Sequence, residues 1–241
     1  MMLIRLLILF LFVCLQFNLT AQNQFPDSTD NKQIPGKIIQ SYFTEVGDNT
    51  PLYNGTEYTM PYHGVTGTPF YASDSFQNGT IIYDGVKYNN VKMAYDLVID
   101  GLIIKAYHDL NLKLVTEKIN SFSFSNHMFV RIEHDSTTSK MRTGFYEVIY
   151  NGSVTVLSKR KKQLENSFRA EDPYKFAEYE YNYIKKGDNY FIIDNKNSLI
   201  EVFGDQKDEI KKFIRKNKIK LKKRKGDNIV KTAQYYEQLK K

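Results

Sequence analysis

The residues with which this 241-residue chain could do acid–base or metal chemistry are few and scattered. Its four histidines are His63, His108, His127 and His134. The last two stand seven apart, with Glu133 and Asp135 beside His134. Metal sites on a helix use ligand spacings of three or four, and on one strand spacings of two. A separation of seven across a strand and its turn fits neither, so His127 reads as a strand residue and His134 as part of a surface turn. Glu178 and Glu180 place two carboxylates on one face of a strand, as a glycosidase pair would, but such pairs are also common on exposed strands. No Gly-x-Ser-x-Gly elbow, phosphate-cradling glycine loop or His-Glu-x-x-His helix occurs. No catalytic residue, metal or cofactor is therefore expected.

A second chemistry is purely electrostatic. Arg215, Lys216, Lys218, Lys220, Lys222, Lys223, Arg224 and Lys225 put eight cations into eleven residues. From Asp205 to Lys241 there are 14 basic and 5 acidic side chains, a net of +9, against +7 for the whole chain. The positive charge thus belongs to the end of the molecule. Such density attracts polyanions, here an anionic membrane surface or an envelope glycan. A solvated helix face with its turn would look the same. Without zinc spacing or a recognition-helix pattern, no specific nucleic acid is expected as a partner.

Aromatic rows offer a third chemistry. Tyr179, Tyr181 and Tyr183 alternate along one segment, Tyr53 and Tyr58 lie near Tyr62, and Phe70 adjoins Tyr71. They could stack sugars or apolar ligands, yet tyrosine is also favoured in strands for its cross-strand contacts, and the chain has no Trp.

What positions these groups is mostly β structure. Apolar residues make up 41% of the chain, enough for a core of substantial size, and a disordered or collagen-like polymer is excluded. Residues 1–21 read as a signal peptide: Arg5 in a short basic start, an apolar run from Leu6 to Phe17, and Ala21 before polar Gln22. The run is too short for a spanning helix. Val13 before Cys14 does not suit a lipoprotein signal, so the lone Cys reads as one more apolar residue, and the mature chain would carry none. Export to the periplasm or the outer-membrane periphery is expected, with secretion less favoured.

Residues 22–36 read as a flexible leader, 37–203 as an antiparallel β domain and 204–241 as a basic helical segment. Asn-Gly or Asp-Gly pairs at 54–55, 78–79, 84–85, 100–101 and 151–152 signal tight hairpins. Val91, Met93, Tyr95, Leu97 and Ile99 alternate with Lys92 and Asp96, predicting a strand with one packed face and one that is wet or pocket-facing. Other strands are predicted over 80–83, 86–88, 102–106, 112–116, 128–132, 144–150, 153–158, 176–184 and 189–193. The expected fold is mainly β, an antiparallel meander forming a sandwich or open barrel, with a short C-terminal helical appendage. Strands this short, with charge on both faces, do not suit an outer-membrane barrel. In the appendage, Ile210, Phe213 and Ile214 form one helical stripe, and a second helix over 228–239 would bury Ile229, Ala233 and Tyr236, with Gly226-Asp227 as a separator.

Leu52–Tyr58, Gly67–Tyr71, Gly79–Gly85, Tyr95-Asp96, Gly144–Val148 and Phe213–Asn217 together resemble uncharacterised secreted or periplasmic β-rich proteins of Bacteroidota. The resemblance implies an envelope location and carries over no functional residue. The functional expectation is a non-enzymatic, envelope-associated binding or scaffold protein. The alternatives are an envelope enzyme with a site of scattered sheet residues and a polyanion- or membrane-surface-binding module acting through the basic C-terminal segment.

Overall fold

The computed structural model describes residues 50–133, 141–167, 173–221 and 225–240, all within the compact unit Phe43–Lys241. The signal, the leader and the start of the expected β domain lie outside the described residues, as does His134.

Hairpin chemistry builds most of this unit. The strands are β1 (Thr56–Glu57), β2 (Val65–Thr66), β3 (Gln77–Tyr83), β4 (Val86–Asp96), β5 (Gly101–Lys105), β6 (Asn111–Lys113), β7 (Ile119–Phe124), β8 (His127–Ile132), β9 (Gly144–Asn151), β10 (Thr155–Asn166), β11 (Tyr174–Lys186) and β12 (Asn189–Ile193). They form one open sheet in the order β1-β6-β5-β4-β3-β7-β8-β9-β10-β11-β12, with β2 pairing the start of β11 in parallel. The mainly β fold read from the sequence is thus present, as one mixed sheet that does not close, followed by the C-terminal helices. Asp84 and Gly85 take φ of 54° and 78° in the β3–β4 turn, the backbone that an Asp-Gly pair favours. Gly187 at φ 60° does the same between β11 and β12.

Two readings of the sheet are corrected. Asn78-Gly79 is no turn but lies inside β3 at an irregularity in its pairing with β4; a Cβ on Gly79 would stand 2.3 Å from the Ser123 carbonyl oxygen, so glycine serves close strand approach there. β4 ends at Asp96, and Leu97–Asp100 turns, which leaves Ile99 exposed instead of packed. Asp96, on the face read as wet or pocket-facing, is fully buried and accepts from the Tyr58 hydroxyl at 2.7 Å and from the amide of Val98 at 2.8 Å.

After the sheet come α1 (Lys196–Val202), α2 (Lys207–Lys216) and α3 (Lys225–Gln238). Asn195 caps α1, accepting from the amides of Asn197 and Ser198, while Ser198 reaches back in a capping box. In α2, Asp208 and Glu209 occupy the positive end of the helix and Arg215 and Lys216 the negative end. Ile210, Ile214, Ile229, Ala233 and Tyr236 are buried as their spacing predicts. Gly226-Asp227, read as a separator, instead lies in the first turn of α3.

One sheet carries two large cores. The core over β3–β9 is rich in rings, Tyr71, Tyr95, Phe122, Phe124, Phe129 and Phe145 among them, packed with aliphatic residues such as Ile81, Leu102 and Ile104; ring centroids come as close as 4.8 Å between Phe122 and Phe129. Val156, Ile184, Ile193, Leu199, Phe203, Ile210 and Ile229 make a largely aliphatic core between β9–β12 and the helices. The helical segment therefore shares its core with the sheet.

Candidate functional site: a polar seam and its cleft

Between the two cores the sheet presents a row of buried polar side chains. Ser158 on β10 stands opposite Glu147 on β9 and Asn182 on β11, so the three face the same side. They are 4% (Glu147), 1% (Ser158) and 0% (Asn182) exposed. One step along, Arg160 stands opposite Glu180, and then Lys162 opposite Glu178. Strand alternation places this row in register with Val156 and Ile184 of the aliphatic core on one side and Leu164 and Phe176 on the other.

Glu147 is the hub. It takes a bond from Arg160 Nε at 3.2 Å, from the Tyr71 hydroxyl at 3.2 Å and from His127 Nδ1 at 2.6 Å. A carboxylate only accepts, so the compatible His127 tautomer carries its proton on Nδ1. Arg160 Nη1 lies 3.4 Å from Glu178 and 3.6 Å from Glu180, and its guanidinium covers the Tyr71 ring with a carbon-to-centroid distance of 5.6 Å. Burial alone would lower the Arg160 pKa; the carboxylates of Glu147 and Glu180 beside it outweigh burial and hold it above its ordinary value. Burial, then the Glu147 charge, pushes the Tyr71 phenol upward, so it stays a protonated donor at any physiological pH. Lys162 is drawn down by burial and donates to the carbonyls of Thr68 at 2.9 Å and Phe70 at 2.6 Å.

Two atoms of the row have no hydrogen-bond partner among the described residues, Ser158 Oγ and Asn182 Oδ1. Leaving a buried polar atom unsatisfied costs about 1–3 kcal/mol, so such atoms stand out in a native fold. Asn182 commits its amide to Glu180 Oε1 at 3.0 Å, while its free oxygen lies 3.5 Å from where a Cβ on Gly226 would stand. That same Cβ would stand 3.1 Å from Ile149 and 3.2 Å from Glu180, so a glycine in the first turn lets α3 approach the sheet this closely.

Beside that contact opens a cleft of about 490 Å³. Its sheet wall is Ile149, Arg160 and Glu180; its helix wall is Gly226, Asp227, Val230, Lys231 and Gln234. Asp227 and Lys231 lie one turn apart on α3, yet neither forms an ion pair among the described residues. The arrangement offers both signs of charge, a carboxamide and two aliphatic walls, which suits reversible binding of a small polar molecule. As for catalysis, a carboxylate orienting a histidine is a familiar base arrangement. Here, however, Glu147 also serves Arg160 and Tyr71, and no serine or threonine hydroxyl bonds to His127 among the described residues.

The groups singled out by sequence fall in different places. Glu178 and Glu180 do share a face, held by Arg160 and Lys162. His127 lies in β8 as expected and joins the hub, whereas His63 and His108 are exposed. Tyr179, Tyr181 and Tyr183 share the face of β11 opposite Glu178 and Glu180; Tyr183 is buried there, while Tyr179 and Tyr181 remain exposed. Arg215, Lys216, Lys218 and Lys220 are exposed at the end of α2 and just after it, far along the chain from the seam. Lys222, Lys223 and Arg224 lie outside the described residues, and Lys225 opens α3 with its side chain likewise outside them. No group of three or more His, Cys, Asp or Glu suited to a metal occurs among the described residues. No described helix is long and apolar enough to cross a membrane.

Sequence reasoning missed the seam itself: Tyr71, Glu147, Ser158, Arg160 and Asn182. The available signal was Arg160 and Lys162 alternating on one strand and Glu178 and Glu180 on a later one, a pattern that an antiparallel pairing would convert into ion pairs. No protein-family model matches the chain, and neither a curated protein nor a solved structure does.

Proposed function

We propose that the protein is a non-enzymatic, envelope-associated binding module that takes a small polar ligand in the cleft between the sheet and α3. The observation that carries this reading is the cleft of about 490 Å³ in which Arg160 and Glu180 of the polar seam face Asp227 and Lys231 of α3. Export to the periplasm or outer-membrane periphery is part of the reading; the basic start, short apolar run and small residue at Ala21 support it, as does the likeness to Bacteroidota envelope proteins. The test is a thermal-shift panel of amino acids, dipeptides, monosaccharides, nucleosides and dicarboxylates on the native chain and on Gln234→Trp, which fills the cleft from an exposed position. At least one class should raise the melting temperature of the native chain and leave the variant unmoved. A panel without effect, or an equal effect on both proteins, contradicts the reading.

A second reading is favoured by one observation. Arg215, Lys216, Lys218 and Lys220 are exposed and make no ion pair among the described residues, so their charge is available to a polyanion. Changing all four to Gln should abolish low-salt flotation with anionic liposomes; unchanged flotation removes this role.

A further inference from the structure

The cleft's charges are arranged in opposed pairs, and this restricts what it can hold. On its floor, Arg160 and Glu180 face each other across neighbouring strands; on its helix wall, Asp227 and Lys231 are separated by one turn. The described lining is therefore formally neutral, with two cations and two carboxylates. A ligand bearing one sign of charge would meet as much repulsion as attraction. A ligand carrying both signs would find a partner for each.

The unused hydrogen-bonding capacity is also divided. The acceptors on the lining are the carboxylates of Glu180 and Asp227; Asn182, fully buried behind Gly226, backs the site through its amide bond to Glu180 Oε1 at 3.0 Å. Donors gather at Arg160, whose Nη1 contacts to Glu178 and Glu180 are long at 3.4 and 3.6 Å, and at Lys231. Ammonium groups suit the first set and carboxylates the second. Ile149 and Val230 supply apolar wall for a short aliphatic part, and about 490 Å³ accommodates a molecule of amino-acid to dipeptide size.

The geometry points to a small zwitterion, an amino acid or dipeptide with free amino and carboxylate groups, as the ligand of this cleft. The inference rests on the reading of the cleft as a binding site and names its ligand class.

It is tested by calorimetry and amide NMR on the full chain, titrated with L-alanyl-L-alanine, its N-acetyl form and its C-terminal amide. The free dipeptide should bind saturably and shift the amides of Gly226, Asp227 and Val230. Each blocked form should bind about tenfold more weakly or worse, as loss of one charge-assisted contact implies. Asp227→Asn and Lys231→Gln, both at exposed positions, should each weaken the free dipeptide by a similar factor while the melting temperature stays put. Equal binding of free and blocked forms at these amides overturns the zwitterion and leaves the cleft as a site. Absence of binding by all three overturns it as well, and the earlier panel then decides whether the cleft binds anything.

Discussion

The two halves of the sheet solve the same problem with different materials. From β3 to β9 the strands bury an aromatic face in which Tyr71, Tyr95, Phe122 and Phe129 meet edge-to-face or stacked. From β9 to β12 they bury an aliphatic face beneath three helices, where Phe203 and Tyr236 are the main rings. The first core fills the spaces between its rings with Ile81, Met93, Leu102 and Ile104 and takes no described residue from α1–α3, whereas those helices supply much of the second. Where the two packings meet, neither can reach, and the sheet fills that band with Glu147, Ser158, Arg160 and Asn182. The lesson is that a seam between cores is a natural place for polar chemistry in an otherwise apolar face.

The largest test of this contrast is to hollow out each core in turn. Phe129→Ala and Phe203→Ala remove rings that are 1% and 0% exposed, and each should cost about 3–5 kcal/mol. Because β9 gives Phe145 to the first core and packs Ile149 against the second, each variant should still unfold in urea as one transition with a lowered midpoint. Two transitions in either variant would mean that the halves are independent.

A smaller effect is expected at the seam. Glu147→Gln keeps shape but removes the charge that Arg160 and His127 face, and should cost about 2–3 kcal/mol. A cost near zero, read from the urea midpoint, would show that the hub is dispensable.

The smallest effect belongs to the outer lock of the helical half. Asp205 takes bonds from Lys186 at 2.8 Å and Tyr236 at 2.9 Å and pairs with Lys240 at 2.7 Å. Those donors, Lys186 first, hold its carboxyl well below the usual carboxylate range. A depressed folded pKa stabilises above the unfolded value, about 3.9, and that stability fades as pH falls through the folded one. More than a third of the carboxylate is open to water, so screening limits the contribution to about 1 kcal/mol. Asp205→Asn should therefore lower the melting temperature by a few degrees at pH 7, a gap that narrows toward pH 3; a gap that widens on acidification reverses the sign of the argument.

Much of this architecture was legible in the sequence, for identifiable reasons. Asp84-Gly85 marked a hairpin because few other pairs accept two positive φ angles, and the Ile210/Phe213/Ile214 stripe marked α2. β7 escaped because its turn to β8 is Ser125-Asn126, with φ of 47° and 64° but no glycine to announce it. The second half of β10, Lys159 to Glu165, escaped because its inward side chains are ionic, and an apolar alternation never appears. The seam was hidden for a related reason. Its members come from segments around residues 71, 127, 147, 160 and 180; the register of β8 through β11 brings the last four together, and the backbone bond of Tyr71 to Tyr95 on β4 adds the first.

The most direct measurement follows the cleft itself. The Asn182 side-chain amide and the Gly226 backbone amide should be monitored by NMR while the panel compound with the largest melting shift is added. Both signals should move together along one saturable curve, and Gln234→Trp should flatten it. Stationary signals at Asn182 and Gly226, with movement confined to Tyr179 and Tyr181 or to the cations after α2, would contradict the account.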